Sequence, residues 1–469
     1  MLSRRNFIWS IAGVAAAAAL PRVLFSKEKG INKPNIILCM ADDLGWGDPG
    51  FNGNQIIKTP NLDAMAKAGL RFTRFYAAAP VCSPTRGSCL TGRHPYRYGV
   101  FFANVGHMCQ EEITLAEALR TQGYATGHFG KWHLGTLLPD YSGKGPRRKP
   151  RENFMTPGMC GFDEWFCTEF AVATWNPYDP AHFHGKDYDV RALYWHNGEN
   201  VTEELKGDDS RIIMDRAIPF IRKAATNQKP FLAVIWFHAP HAPVVAGPQY
   251  RKIYSQYSED EQHYYGCITA MDEQIGRLRQ ELRERAIADK TMLWFCSDNG
   301  PEGKDGKRGR FRGSAGPFRG RKRSLLEGGV RVPALLEWPN RIKAGQVTDV
   351  PCCTSDYYPT VLDVLGLKMK GQPEPIDGVS LLPLIEGKMN KRPVPITFES
   401  GDQVSLSDNR YKIYSKDKGK TYVLFDLIED SGETKDLSAE KPQILKSMKA
   451  TLTKWRKSCK DSLAGKDYI

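Results

Sequence analysis

The chain has 469 residues, of which 41% are hydrophobic and 25% are charged, and it carries a formal net charge of +13. This composition is typical of a globular protein, and the length is sufficient for one large α/β domain and a smaller one. No central stretch approaches the roughly 20 apolar residues that a transmembrane helix needs, so a protein built around membrane spans is excluded.

The first 26 residues have the features of an export signal. The segment Ser3 to Ile8 contains the pair Arg4-Arg5 and precedes an apolar, alanine-rich run that extends to Leu20. Such a pattern is typical of a signal peptide, and the arginine pair resembles the twin-arginine export motif. We therefore expect the bacterial twin-arginine machinery as a partner, a periplasmic or secreted location, and no stable membrane anchor. A monotopic anchor helix is the alternative interpretation.

Three apolar runs, each followed at once by polar residues, predict buried strands over 35–39, 231–237 and 291–296. Continuous apolar strands indicate a sheet that is covered on both faces and is therefore mainly parallel. The intervening segments 61–69, 114–122, 209–225 and 258–286 have the spacing or length of helices. The predicted fold is thus an α/β domain over 33–375, with a large, mainly parallel sheet between helices.

The pattern changes towards the C-terminal end. A helix is predicted over 356–365, and prolines punctuate the following loop. Short strands are then predicted over 394–398, 410–414 and 422–426, and a final helix over 442–457. We expect residues 376–469 to form a smaller subdomain with an antiparallel sheet and one helix.

Polar residues at two strand ends predict a metal site. Asp42 and Asp43 follow the first strand, and Asp298 and Asn299 follow the third. Ligands of parallel α/β sheets bind beyond the carboxyl ends of the strands, where these side chains are expected to meet. Three carboxylates and an amide oxygen suit Ca²⁺, or Mg²⁺, rather than zinc.

Two segments concentrate positive charge, at 144–151 and at 303–323. Such segments are commonly solvated loops, but focused positive potential also attracts anionic ligands. The aromatic interleaving and the folds of nucleic-acid-binding proteins are absent, so no nucleic-acid partner is expected. A sulfated polymer is an alternative ligand that needs no additional assumption.

The segment Cys82-Ser83-Pro84-Thr85-Arg86-Gly87, extended to Arg93, resembles the signature of the sulfatase family. The resemblance is to the formylglycine-dependent type I enzymes, which include arylsulfatases and N-acetylgalactosamine-6-sulfatases. Further landmarks of that family occur in order along the chain: Ala41 to Asp48, Gly127 to Gly135, His238 to Pro243, Ser297 to Gly300, Lys322 before Glu327 to Arg331, and Leu424 to Thr434.

This resemblance implies the fold of the alkaline phosphatase superfamily and the hydrolysis of sulfate monoesters. In the family, a formylglycine-generating enzyme oxidises the cysteine to formylglycine, here in the cytoplasm before export. The hydrated aldehyde attacks sulfur and leaves a covalent sulfate, which its second hydroxyl then expels. The resemblance implies these site residues: catalytic Cys82, Arg86, Lys131, His133 as base, and His241 or Lys322 as proton donor; and metal-binding Asp42, Asp43, Cys82, Asp298 and Asn299.

Several alternatives remain open from the sequence. Either His238 or His241 can take the contact with sulfate, with His241 favoured, and Arg321 or Arg323 can compete with Lys322. The aromatic stretch 162–178, with Trp165 and Trp175, and the basic segments suit a sulfated glycan, although aromatic runs are more often core. The alternative functions are a phosphodiester or phosphonate ester hydrolase of the same superfamily and a non-catalytic polyanion-binding protein.

Overall fold

A large sheet runs through the N-terminal and central parts of the chain. The computed structural model describes residues 33–142, 148–179, 181, 194–303 and 310–468, so the predicted signal segment and the basic residues 144–147 and 304–309 lie outside the described residues. The strands of the large sheet are β1 (Asn35–Ala41), β2 (Leu70–Tyr76), β3 (Ala125–Lys131), β4 (Glu164–Thr168), β5 (Tyr194–His196), β6 (Glu199–Val201), β7 (Phe231–Trp236), β8 (Thr291–Ser297), β9 (Arg331–Glu337), β10 (Gln346–Thr348) and β11 (Cys352–Cys353).

The order of the strands is β10-β2-β9-β8-β1-β7-β3-β4-β5-β6, and β11 also pairs with β2. The central strands are parallel, since β1 pairs in this sense with β7 and β8, and β3 with β7 and β4. Antiparallel pairing is confined to β9, which lies between β2 and β8, and to the edge strands β5 and β6. The predicted large, mainly parallel sheet is confirmed.

The alternation of side chains along the central strands supplies two hydrophobic cores, one on each face of the sheet. In β1, Ile37, Cys39 and Ala41 belong to one buried cluster, and Ile36, Leu38 and Met40 belong to the other. Strands β7 and β8 alternate between the same two clusters. Because both faces are buried, these strands are apolar at every position except Asn35, Thr291 and Ser297 at their ends, which explains why they could be recognised in the sequence.

Helices cover both faces of the sheet. They are α1 (Pro60–Ala68), α2 (Cys82–Thr91), α3 (Leu115–Arg120), α4 (Pro150–Asn153), α5 (Asp209–Thr226), α6 (Pro248–Ile253), α7 (Glu259–Glu284), α8 (Glu327–Val330), α9 (Tyr357–Val364), α10 (Leu382–Ile385) and α11 (Pro442–Leu463). Helices α1, α5 and α7 pack on one core, and α2, α3 and α9 pack on the other. Capping boxes at Thr114 and Ser258 start α3 and α7, where the sequence predicted helices.

The smaller sheet has one strand more than the sequence predicted. Its order is β12 (Ile396–Ser400), β13 (Gln403–Ser407), β14 (Tyr411–Ser415) and β15 (Val423–Asp426), and all its pairs are antiparallel. The missed strand, β13, begins immediately after a turn at Gly401, whose φ is 59°. Helix α11 packs on this sheet through Met448 and Leu452. The predicted antiparallel subdomain with one helix is therefore present, with helix α11 ending at Leu463 rather than at 457.

A buried cluster of charges joins the smaller sheet to the large sheet. Lys412 in β14 lies 2.9 Å from Glu327 Oε1 and 2.9 Å from Glu433 Oε1, and all three side chains are 0% exposed. Glu327 starts α8, directly before β9 of the large sheet. The two sheets are thus connected by ion pairs as well as by apolar contacts.

No helix in the described ranges combines the length and apolarity that a bilayer span requires. All eleven cysteines lie within the described residues, and each of them is a free thiol. The adjacent pair Cys352-Cys353 is buried in β11, as expected of ordinary core residues.

Candidate active site

The residues singled out in the sequence meet at one edge of the large sheet, beyond the carboxyl ends of its parallel strands. Asp42 and Asp43 follow β1, Asp298 and Asn299 follow β8, and Lys131 is the last residue of β3. His241 lies in the loop after β7, and Cys82 is the first residue of α2, which follows β2. Lys322 comes from the loop that precedes α8.

Three carboxylates form the centre of the site. Asp42, Asp43 and Asp298 each offer an oxygen atom, and these atoms lie within 4.8 Å of one another. Asn299 Nδ2 donates to Asp43 Oδ1 at 2.7 Å. Two acceptors of the cluster, Asp42 Oδ1 and Asn299 Oδ1, are buried without a hydrogen-bond partner in the described part of the chain. Buried acceptors of this kind need a partner, and an oxygen-only donor set fits a hard divalent cation such as Ca²⁺ or Mg²⁺.

Each carboxylate also has a basic neighbour. Lys131 Nζ lies 2.5 Å from Asp42 Oδ2, Arg86 Nη2 lies 2.6 Å from Asp298 Oδ2, and Lys322 Nζ lies 2.7 Å from Asp43 Oδ1. Burial acts to raise the pKa of Asp42, but Lys131, His241 and Arg86 hold that pKa well below its ordinary value. Burial and the neighbouring Asp42 raise the pKa of Asp298 to about 7. The three basic neighbours therefore compensate the three carboxylates, and Asp298, whose pKa is raised, is compensated less than Asp42.

A cavity of about 170 Å³ lies beside this cluster. Among its lining residues are Cys82, Lys131, His133, His241 and Lys322, which are five of the six predicted catalytic residues. The sixth, Arg86, lies behind the cavity with its guanidinium 5.1 Å from the centre of the Trp236 ring. A small cavity with two lysines at its wall is suited to bind a compact anion.

Cys82 is buried at this cavity, with 1% of its surface exposed. Burial raises the pKa of its thiol, although Lys131 and Lys322 act in the opposite direction. Because the thiolate is the nucleophilic form of cysteine, the unmodified side chain is a weak nucleophile at this position. The position of Cys82 at the cavity suits a nucleophile, but the unmodified thiol is poorly suited to that role.

The structure distinguishes the two histidines that the sequence left open. His241 lines the cavity, and its Nε2 lies 3.8 Å from Asp43 Oδ2. His238 is fully buried and is held by Asp209 Oδ2 at 2.7 Å and by Thr168 Oγ1 at 2.7 Å. His238 is therefore part of the support beneath the loop, and the favoured His241 is the histidine that reaches the cavity.

The structure also distinguishes Lys322 from its two neighbours. Arg321 donates to the backbone oxygens of Glu302 and Gly313, at 2.9 and 2.6 Å. Arg323 lies at the rim of the cavity and forms a two-point contact with Glu302, at 2.6 and 2.8 Å. Only Lys322 of the three approaches the carboxylate cluster through a direct contact with Asp43.

Two residues that the sequence analysis missed, Asn104 and Phe102, complete the site. His133 has a φ of 60° and its Nε2 lies 2.9 Å from Asn104 Oδ1. Phe102, which is 37% exposed, lines the cavity on the same side as Asn104. Asn104 and Phe102 belong to none of the motifs, and both come from the segment between α2 and α3. The sequence Asn-Val-Gly at 104–106 indicates a turn, but it does not indicate a contact with the site.

The described arginines of the basic segment 303–323 are engaged with the protein rather than directed only into solvent. Arg310 Nη1 donates to Val244 O at 2.7 Å, and Arg310 and Arg312 lie 3.5 and 3.6 Å from the carboxylate of Asp260. Arg319 donates to the backbone oxygen of Glu433. In the other basic segment, Arg148 is buried and donates to Gly106 O at 2.7 Å. These contacts give each of these four arginines a structural role.

The core alternative for the aromatic stretch 162–178 is confirmed for Trp165, and Trp175 is also packed against a core rather than among the residues that line the cavity. Trp165 is 6% exposed and belongs to one of the two cores, and Trp175 packs against the other. Both faces of the sheet are covered, so Trp165 and Phe166 of β4 serve packing, whereas Phe170, from the same aromatic stretch, also lines the cavity. The aromatic residues that do reach the cavity are Phe102 and Phe170.

The sequence is similar to the sequences of known sulfatases. A sequence model of the Sulfatase family matches residues 34–367, and a model of the C-terminal region of N-sulphoglucosamine sulphohydrolase matches residues 316–458. N-acetylgalactosamine-6-sulfatase of Sus scrofa is 33% identical over 414 residues, which cover 82% of this chain and 73% of that protein. Arylsulfatase G of Rattus norvegicus is 32% identical over 397 residues, which cover 77% of this chain and 70% of that protein.

Solved structures show the same fold. The crystal structure of Ps i-CgsB in complex with k-i-k-neocarrahexaose has a TM-score of 0.77 and 29% identity, and the match covers 90% of this chain and 92% of that chain. The phosphonate monoester hydrolase of Agrobacterium radiobacter has a TM-score of 0.65 at 19% identity, covering 91% and 96% of the two chains, which shows a shared fold. The chain therefore belongs to the sulfatase family of the alkaline phosphatase superfamily and is a sulfuric ester hydrolase.

Proposed function

We propose that this enzyme hydrolyses sulfate monoesters of a sulfated carbohydrate, using formylglycine made from Cys82 and a bound Ca²⁺. The observation that carries this proposal is the small cavity in which Cys82, two lysines and two histidines meet beside three buried carboxylates. A sulfate monoester is an anion, and its transition state places further charge on oxygen. Preorganised cations in a site that excludes water stabilise such charge.

Formylglycine at position 82 would supply, as its hydrate, the hydroxyl that attacks sulfur, and Ca²⁺ held by Asp42, Asp43, Asp298 and Asn299 would supply a Lewis acid. Lys131 and Lys322 hold the sulfate oxygens from the wall of the cavity. Arg86 keeps Asp298 and Asp42 in place, through contacts of 2.6 and 3.4 Å. Residues that the fold already fixes thus orient the anion and compensate its charge.

His133 is the proposed base. Burial, reinforced by Lys131, Arg86 and Arg148, lowers the pKa of His133 well below its ordinary value, so the ring is neutral at pH 7 and can accept a proton. His241 and Lys322 were both candidates for the proton donor. Burial lowers the pKa of His241 to about 4, and its Nδ1 contacts Ala242 O at 2.6 Å. Asp43 raises the pKa of Lys322 against the effect of burial, so we assign the proton-bearing role to Lys322.

The carbohydrate substrate is supported by the relatives and by the rim of the cavity. N-acetylgalactosamine-6-sulfatase is named for a sulfated sugar, and Ps i-CgsB was crystallised with a neocarrahexaose. Phe102 exposes 37% of its surface beside the cavity, where an aromatic face can pack on a sugar ring. Sulfate release from sulfated oligosaccharides, measured against their desulfated counterparts, is the direct test of substrate class.

The chemistry is tested by mass spectrometry and kinetics on protein co-expressed with a formylglycine-generating enzyme. The peptide containing Cys82 should be lighter than its encoded mass, resist thiol alkylation and react with a hydrazide. Cys89 in the same helix is buried but does not line the cavity, so it should remain an alkylatable thiol after unfolding and should tolerate Cys89→Ala. Cys82→Ala should fold and be inactive.

Two results would contradict this proposal. Full turnover of 4-nitrophenyl sulfate by protein with an alkylatable Cys82 would exclude the formylglycine. Hydrolysis of bis(4-nitrophenyl) phosphate without hydrolysis of 4-nitrophenyl sulfate would favour the phosphodiesterase alternative.

We further propose that the enzyme reaches the periplasm or the exterior of a bacterial cell through the twin-arginine machinery. The support is the sequence Ser3 to Ile8, which carries the arginine pair, together with the need to modify Cys82 before export. Replacement of Arg4 and Arg5 by lysine should retain the protein in the cytoplasm of a competent host. An unchanged periplasmic yield would indicate the general secretory route.

A further inference from the structure

Asn104 is held in an unusual backbone conformation between two catalytic elements. It lies in a tight turn in which Val105 N donates to Phe102 O at 3.1 Å, and its φ is 61°. Asparagine is one of the few residues other than glycine that adopt this conformation readily. The Asn104 N–H also contacts Ser83 Oγ at 3.4 Å, and Ser83 directly follows Cys82 in α2. The position of Asn104 is therefore tied to the start of the helix that carries the nucleophile.

The side chain of Asn104 contacts one nitrogen of His133. The distance from Asn104 Oδ1 to His133 Nε2 is 2.9 Å. The backbone of His133 is fixed as well, because its N–H donates to Glu169 O at 3.0 Å. The other ring nitrogen, Nδ1, is buried and has no hydrogen-bond partner among the residues that the structure describes. The two nitrogens of this histidine thus have different surroundings.

Two arrangements of protons are compatible with this contact. In the first, His133 Nε2–H donates to the amide oxygen of Asn104, and Nδ1 keeps its lone pair. In the second, the amide is turned so that its NH₂ group donates to Nε2, and the proton of the neutral ring is on Nδ1. The second arrangement buries an N–H without an acceptor, and it places that N–H in a region where Lys131, Arg86 and Arg148 already supply positive charge. The first arrangement matches a donor with an acceptor and leaves only a lone pair in the positive field.

We propose that Asn104 is a positioning residue that fixes His133 in the Nε2–H tautomer, so that Nδ1 is the ring nitrogen that accepts the proton during turnover. The partner of one ring nitrogen decides which nitrogen of a histidine is free to act as base. The role of the tautomer in turnover rests on the proposed function, in which His133 is the base. The tautomer itself is a property of the resting protein and can be measured without activity.

The first test is nuclear magnetic resonance of protein labelled with ¹⁵N-histidine, with the His133 signals assigned from a His133→Gln spectrum. Nδ1 should resonate as an unprotonated nitrogen and Nε2 as a protonated one. Asn104→Asp should give the same pattern, because a carboxylate can only accept a hydrogen bond. A protonated Nδ1 in the unaltered protein would overturn the proposal, whatever the substrate of the enzyme is.

The second test is kinetic, with 4-nitrophenyl sulfate as the substrate. Asn104→Gly removes the amide without strain, because glycine accepts a φ of 61°. Loss of a residue that orients a catalytic group typically costs about 10–100-fold in activity, and we expect this loss in kcat rather than in KM. The matched control is Asn197→Gly, since Asn197 has a φ of 50° and accepts a hydrogen bond from Trp165 N at 2.8 Å outside the site. A kcat of Asn104→Gly equal to that of the control would overturn the positioning role.

Discussion

Arg86 Nη2 lies 2.6 Å from Asp298 Oδ2, and neither side chain is exposed to solvent. The same nitrogen lies 3.4 Å from Asp42 Oδ2, and the guanidinium lies 5.1 Å from the centre of the Trp236 ring. One arginine in the signature helix α2 therefore contacts residues at or just beyond the ends of β1, β7 and β8. This relationship connects the sequence signature to the metal cluster, because the arginine of the signature compensates two of the carboxylates.

We expect Arg86→Met to be destabilising as well as inactivating. Removal of one partner of a buried ion pair leaves an uncompensated charge and typically costs about 3–5 kcal/mol. Urea unfolding should show this loss in the free energy of unfolding. The control is Arg120→Met, since Arg120 and Asp163 form a pair in which both side chains are well exposed, at 51% and 39%. Equal stability of the two variants would contradict the buried role of Arg86.

Calcium should stabilise the folded protein independently of its activity. A ligand that binds only the folded state at 100 times its dissociation constant adds about 2.7 kcal/mol, so the melting temperature should rise with Ca²⁺ and fall with a chelator. Zn²⁺ should be a poor substitute, because the donors are oxygens. Asp298→Ala should abolish the dependence on Ca²⁺, whereas the exposed Asp402→Asn should preserve it. A melting temperature that does not respond to Ca²⁺ would remove the metal assignment.

Substitution of the two histidines of the segment 238–243 should have different effects, one on activity and the other on stability. His241→Gln should lower kcat/KM by about 100-fold, as is typical when a polar side chain that faces the developing charge is lost, with an unchanged melting temperature. His238→Gln should instead lower the free energy of unfolding by about 1–3 kcal/mol, because it breaks buried hydrogen bonds to Asp209 and Thr168. Kinetics and thermal denaturation on both variants separate these effects. The reverse result would exchange the roles of the two residues.

The parts of the fold that could be predicted are those in which local sequence and burial agree. The interior positions of strands β1, β7 and β8 are apolar because these strands lie between two cores, and the polar residues after them stand out for the same reason. Strand β13 was missed because its polar and apolar residues alternate over only five positions, directly after a turn. A strand of only five residues carries too little signal to be separated from a loop, even when four of its residues are buried.

The side-chain contacts at the site could not be predicted for a different physical reason. The motifs located Cys82, Lys131 and Lys322, but a contact between side chains far apart in the chain leaves no local pattern. Asn104 meets His133 only because the turn at 102–105 folds over α2. The aromatic run around Trp165 was equally uninformative, because hydrophobicity alone does not tell a core residue from one that lines a cavity.

The buried cluster around Lys412 should hold the smaller sheet to the catalytic part. Lys412→Met would leave Glu327 and Glu433 buried without their cation, at a cost of about 3–5 kcal/mol in the free energy of unfolding. The control is Lys435→Met, because Lys435 is 64% exposed and pairs with an exposed Glu440. Urea unfolding of both variants measures the difference. Comparable stabilities would show that apolar contacts alone connect the two sheets.

The free energy of unfolding should decrease on acidification because of His94, which is not among the residues that line the catalytic cavity. Burial lowers the pKa of His94 to about 4, although Asp377 acts in the opposite direction, and His94 Nδ1 accepts from Tyr96 N at 3.3 Å. The unfolded chain takes up a proton near the ordinary pKa of about 6.5, so the folded state loses relative stability between about pH 6.5 and pH 4. At about 1.4 kcal/mol for each pH unit, the total is roughly 3 kcal/mol.

The comparison that isolates this effect is His94→Asn, in which an amide oxygen can still accept from Tyr96 N. Urea unfolding at pH 7.5 and at pH 4.5, at a fixed Ca²⁺ concentration, gives the free energy of unfolding of both proteins. The unaltered protein should lose more stability on acidification than the variant does, because the variant has no imidazole to protonate in its unfolded state. Equal losses in the two proteins would mean that other buried groups account for the acid sensitivity and that His94 is protonated in the folded state at its ordinary pKa.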